Sequence, residues 1–240
     1  MTVYNLQKLG YLWYRLPPSI KPFAARFIPS SLKHQAEISY WRNEWTSGNF
    51  RNRYYRNEML GIAGETDDVF LRGKIVADFG CGPQGSLAWA TSARLRIGID
   101  VLADTYSEFD IRSHDMVYVS STERTIPLPS NFVDIMFTMN AIDHVSKLSV
   151  MCDEIRRVIV PGGKFLGSFN MCEPANFCEP QTLTEEKLHK FLLKYLDVQF
   201  YKIAPEGPED DWYGPSRRGE YIDKPVPHAH LWVRAIKPVS

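Results

Sequence analysis

Three glycines at 80, 82 and 85 stand in the run Val76-Ala77-Asp78-Phe79-Gly80-Cys81-Gly82-Pro83-Gln84-Gly85, directly after a short β-branched stretch. Glycine lets a backbone turn tightly and approach a ligand with no Cβ in the way. Gly-x-Gly-x-x-Gly between a strand and a helix is the dinucleotide-binding fingerprint. Asp78 stands two residues before the first glycine, where a carboxylate can hydrogen-bond the turn or a ligand amine. Asp100 follows Gly82 by eighteen residues, at the end of the next apolar stretch, and is spaced to hold a ribose diol. A diphosphate needs no carboxylate inside the loop, whereas a cationic amino-acid moiety can use one. The residues therefore favour S-adenosylmethionine over a nicotinamide dinucleotide.

A second group that could do chemistry is Asn140-Ala141-Ile142-Asp143-His144, just beyond a predicted fourth strand. Open α/β sheets bind ligands at such strand ends. His144 titrates near neutral pH and could take a proton from an acceptor, with Asp143 orienting it or acting itself. Residues 207–221 form a long Pro/Gly/acid-rich loop carrying Trp212, Tyr213 and Tyr221 among arginines and carboxylates, a composition suited to a polyhydroxyl acceptor. Trp41 is expected to close over the site from an N-terminal helix. His228 and His230 have the period-two spacing of a metal pair, but no third ligand is readable and no metal site is expected.

Strands alternating with helices must position these groups. Residues 74–79, 96–100, 116–119, 132–138 and 164–169 read as strands, with helices over 86–95 and 145–158 between them. Residues 184–196 read as a helix whose first turn carries Glu185 and Glu186, suited to the positive end of its dipole. Residues 198–203 and 231–237 read as two more strands with no helix pattern between them, so they should pair as an antiparallel hairpin at the sheet edge. Ile38, Trp41 and Trp45 share one face of a helix beginning near residue 34, and a second helix covers 52–61. The expectation is a Rossmann-like α/β fold: a seven-stranded, mostly parallel sheet with an antiparallel last strand and helices on both faces. Residues 1–65 form an N-terminal helical cap, and residues 66–240 the cofactor-binding domain.

In this order the motifs resemble the class I S-adenosylmethionine-dependent methyltransferases, type 11 group. Four pieces carry the resemblance: the glycine loop with Asp78, the strand end Gly98-Ile99-Asp100, the tract from Ile126 to Ile135, and Arg156 to Lys164 with its Pro161-Gly162-Gly163 turn. The resemblance implies that Asp78, Gly80, Gly82 and Gly85 line the methionine side, with Cys81 a small residue fitting beside the cofactor. It implies that Asp100 binds the ribose, with Val101 next to it. Thr122 stands at the place of the family's acidic residue near adenine, with Glu123 beside it, and Asn140 completes the expected cofactor set. With Asp143–His144 and the late loop, the leading expectation is O-methylation of a small-molecule or glycan-like acceptor. A cofactor-binding module without turnover and an NAD-dependent oxidoreductase are the alternatives.

Composition excludes several other classes. Twenty-eight Lys+Arg balance 28 Asp+Glu, so no nucleic-acid partner is expected. No apolar run reaches the roughly 18–20 residues of a membrane span. No secretory leader is visible, and Cys81, Cys152, Cys172 and Cys178 lack paired zinc spacing, so reduced thiols and a cytoplasmic location are expected. Residues 1–36 hold five Lys or Arg and no acid, interleaved with aromatics, a composition suited to weak contact with an anionic membrane surface.

Overall fold

A computed structural model describes residues 29–50, 52–176 and 178–239; most of the basic aromatic segment over 1–36 lies outside the described residues. Seven strands form one sheet: β1 (Ile75–Phe79), β2 (Leu95–Asp100), β3 (Val117–Ser120), β4 (Val133–Met139), β5 (Ile159–Met171), β6 (Asp197–Pro205) and β7 (Ala229–Ile236). Their order is β3-β2-β1-β4-β5-β7-β6. The first five strands pair in parallel, and β7 runs antiparallel to both β5 and β6. The expected hairpin is present, with β6 at the edge and β7 inserted beside β5.

The central strands are buried on both faces, as a parallel sheet requires. Alternate residues enter different cores. Ala77, Met136 and Phe165 join one cluster, while Val76, Ile135 and Leu166 join the other. The first cluster is closed by α3 (Leu148–Val158), whose Leu148, Met151, Cys152, Ile155 and Val158 form a buried stripe at helical spacing. Next to it lies α4 (Glu185–Phe191), where Thr184 Oγ1 accepts the Lys187 N–H at 3.2 Å. The second cluster is closed by α2 (Asn52–Ala63), through Met59 and Ile62. The first helix, α1 (Ser30–Thr46), crosses the glycine loop and packs Ile38 and Trp41 against Cys81, Leu102 and Tyr106.

Two expectations are corrected. Residues 86–95 do not form a helix. Ala88 N–H bonds Gly85 C=O at 2.9 Å and Ala90 N–H bonds Leu87 C=O at 3.0 Å, so the segment is a run of tight turns. Side chains take over its polar groups: Ser86 Oγ donates to Asp78 at 2.5 Å, and Arg96 Nη1 donates to Ala88 C=O at 3.0 Å. The loop over 207–221 is also partly ordered, with a short helix α5 (Gly214–Arg218) held by Arg217, which bridges Glu58 and Asp211. Among the described residues, no helix is long and apolar enough to cross a membrane.

Candidate active site

The carboxyl ends of β1, β2 and β4 open on a cavity of about 520 Å³, roofed by α1, within the roughly 300–1,000 Å³ of small-molecule sites. At one end lie Gly80, Gly82, Asp100 and Val101, with Thr122 and Glu123 beside them. At the other lie Asn140, Asp143 and His144 from the end of β4, facing Glu37 of α1 and Glu179 of the segment after β5. Tyr40 and Trp41 line the α1 side. Ten of the sequence-predicted site residues thus share one cavity.

Asp100 organises the cofactor end. Its Oδ2 accepts the Gly82 N–H at 3.1 Å and its Oδ1 accepts the Leu102 N–H at 2.9 Å. Each oxygen keeps further acceptor capacity toward the cavity. Burial pushes this carboxyl up, against the two N–H bonds that favour its charge. Gly82 has φ +57°, and a Cβ there would lie 2.8 Å from Trp41 Cζ2, so only glycine lets α1 sit this close to the loop.

Three residues assigned to the cofactor lie behind the wall instead. Asp78 is buried beneath the loop holding Ser86, and burial raises its carboxyl to about 7; its Oδ1 has no partner. Cys81 packs its sulfur against Gly98, and Gly85 packs on the ring of His114. No helix follows the loop, and the residues after it form tight turns. Thr122 Oγ1 closes a turn by accepting the Arg124 and Thr125 N–H groups at 3.1 and 3.0 Å. Glu123 accepts the Ser146 N–H at 3.1 Å and faces His34 at 3.8 Å.

The acceptor-end residues come from three distant segments. Asn140 follows β4 at φ +48°, which turns the chain into the short 3-10 stretch Ile142–His144. Its Nδ2 donates to the Tyr213 hydroxyl at 2.6 Å. Glu37 Oε1 lies 3.0 Å from His144 Nδ1, and Glu179 Oε1 lies 3.7 Å from His144 Nε2. Burial disfavours the charged imidazole, but the Glu37 hydrogen bond and the nearby carboxylates outweigh it and hold His144 up at about 9. Asp143 is pushed up to about 6 by burial, with His144 opposing. Glu37 and Glu179 escaped the sequence reading, although Lys33, Glu37 and Trp41 repeat at i, i+4 and i+8 on one helix face.

The late-loop aromatics are not at this cavity. Tyr213 is buried in the second core cluster against Trp232 and His230, and Trp212 packs at its edge. Both had been expected at the acceptor; the loop folds back on α2 and the sheet instead, which removes the stacking surface. Nor do the two histidines pair. His230 is fully buried with Nε2 2.8 Å from Ser216 Oγ, whereas exposed His228 precedes β7 and faces Glu206 at 3.3 Å.

Residues 77–167, from the second residue following the start of β1 to the middle of β5, match a family model described as a methyltransferase domain, type 11. This segment is similar to a methyltransferase domain. A methyltransferase of uncharacterised activity from Mycobacteroides abscessus is 28% identical over 113 residues, 45% of this chain and 44% of that protein. The chain thus matches less than half the length of that curated relative. Among solved structures, a methyltransferase from Thermotoga maritima covers 83% of this chain and 95% of its own, at 16% identity and TM-score 0.55. The [4+2]-cyclase SpnF aligns over 79% of this chain and 81% of its own, at 19% identity and TM-score 0.54. These likenesses establish the fold. The matched segment contains the glycine loop, Asp100, Asn140, Asp143 and His144. Glu37, Glu179 and Tyr213 lie outside it. Its family implies S-adenosylmethionine, and the residues fit that molecule: a glycine cradle that a Cβ would fill, a ribose-side carboxylate on the cavity, and an unpartnered carboxylate oxygen of Asp78 beneath the loop.

Proposed function

We propose that this protein is an S-adenosylmethionine-dependent methyltransferase that methylates an oxygen of a small-molecule acceptor inside the cavity roofed by α1. One observation carries the reading: a single cavity joins the Gly80–Gly82–Asp100 end to the Asp143–His144 end. Bound there, the cofactor supplies an electrophilic methyl group on a sulfonium.

Asp100 would hold the ribose hydroxyls, and Gly80 and Gly82 would admit the methionine side. The protein's task at the other end is orientation, which supplies much of the rate in a direct displacement. Tyr40, Trp41 and Met139 give the cavity flat and apolar walls. The carboxylates of Glu37, Asp143 and Glu179 around His144 are the groups that can receive the proton an acceptor hydroxyl gives up. With Trp212 and Tyr213 away from the cavity, a small, partly apolar alcohol or phenol suits these walls better than a glycan.

The experiment is transfer of labelled methyl from S-adenosylmethionine to a panel of small phenols, alcohols and amines. Label on a hydroxyl compound supports the reading. Label on amines alone replaces the oxygen acceptor, and no label on any compound, with cofactor bound, favours a binding module without turnover.

A further inference from the structure

His144 presents its two ring nitrogens to different carboxylates. Nδ1 lies 3.0 Å from Glu37 Oε1, a hydrogen bond that orients the ring and leaves Nε2 as the free donor atom. Nε2 lies 3.7 Å from Glu179 Oε1. That distance is too long for a hydrogen bond. It falls within the roughly 3.0–4.2 Å that separates two donors each bound at about 2.1 Å to one cation, the limits being right-angled and opposite placement. Asp143 offers a third donor: ligand atoms of Asp143, His144 and Glu179 all lie within 4.8 Å of one another.

One observation beyond the cluster itself points to a ligand here. Asp143 is 4% exposed and its Oδ1 is buried with no hydrogen-bond partner; such an atom is costly unless something satisfies it. The donors are also held in place by other groups, as metal ligands usually are. Glu37 orients His144. Glu179 is fixed by Asn176, whose Nδ2 donates to Oε2 and whose Oδ1 accepts the Glu179 N–H at 2.9 Å. The Asp143 turn is tied to the same segment by the Gln181 N–H, 3.2 Å from Asp143 C=O.

We propose that Asp143, His144 and Glu179 form a divalent-cation site at the acceptor end of the cavity, with Glu37 as the positioning residue for the imidazole. Two carboxylates and one imidazole suit a hard to borderline cation of the Mn²⁺ type. All three residues line the cavity, so the positions the protein leaves open face the acceptor. An acceptor bearing an oxygen donor, and most of all two adjacent ones, would enter that shell and be held for methylation. The purpose of the site rests on the methyltransferase reading; its existence does not.

The test is titration of the full-length protein with Mn²⁺, followed by electron paramagnetic resonance and calorimetry, with S-adenosylhomocysteine titrated separately into each variant. One Mn²⁺ per chain is expected, weakened at least tenfold in Glu179→Gln and in Asp143→Asn, and about 10- to 100-fold in Glu37→Gln. S-adenosylhomocysteine binding should be unchanged in Glu179→Gln, which shows that the variant is folded. Failure of the wild type to bind Mn²⁺, or binding unaffected by Glu179→Gln, overturns the cation site. Mn²⁺ binding without S-adenosylhomocysteine binding overturns the methyltransferase reading and leaves the cation site standing.

Discussion

Asp100 Oδ2 accepts the N–H of Gly82 at 3.1 Å, so the carboxylate that ends β2 also fixes the loop that leaves β1. The same side chain faces the cavity and holds the Leu102 N–H. Asp100→Ala should weaken S-adenosylhomocysteine binding by about 1–3 kcal/mol, through lost ribose bonds and a loosened loop. Calorimetry measures this directly, and unchanged affinity would remove Asp100 from the cofactor site.

Gly82 meets the Trp41 ring where a Cβ would stand 2.8 Å away. Gly82→Ala should cost about 1–3 kcal/mol of stability from the positive φ and displace α1, weakening cofactor binding. Adding Trp41→Ala should recover part of the stability, with a coupling of about 0.5–3 kcal/mol. Strict additivity in thermal unfolding would show that the two residues do not press on each other.

Much of the cofactor end was legible because it is local. A strand, a glycine turn and a strand-end carboxylate follow one another within 25 residues, and parallel pairing of β1 with β2 brings Asp78 opposite Gly98. The acceptor end was legible only by half. Asp143 and His144 follow β4 in sequence, but Glu37 reaches His144 from 107 residues away, and no periodic signal announces such a meeting. Residues 86–95 were misread for another reason: their helical pattern is overridden once Asp78 and Arg96 bind Ser86 and the Ala88 carbonyl. Tyr213 was misread because composition does not say which side of a loop faces the core.

Tyr213 is buried and accepts the Asn140 Nδ2 hydrogen bond at 2.6 Å. Tyr213→Phe should destabilise the fold by about 1–3 kcal/mol by leaving that donor unpaired. Thermal unfolding reads the loss. A variant as stable as the wild type would return Tyr213 to consideration as an acceptor contact.

His230 is fully buried, and burial lowers its imidazole to about 4 from the ordinary 6.5. The unfolded chain therefore binds the proton more readily between pH 6.5 and 4, and stability should fall as pH falls through that window, by on the order of 2–3 kcal/mol. His230→Gln should flatten this part of the stability profile measured by urea unfolding. An unaltered slope would assign the acid sensitivity to other groups.

Whether the cavity between the glycine loop and His144 binds S-adenosylmethionine is decided by titrating the wild-type protein with S-adenosylhomocysteine and, separately, with NAD. One molecule of S-adenosylhomocysteine should bind per chain, with a raised thermal midpoint, and NAD should give no response. No binding of S-adenosylhomocysteine, or saturable binding of NAD in its place, would contradict it.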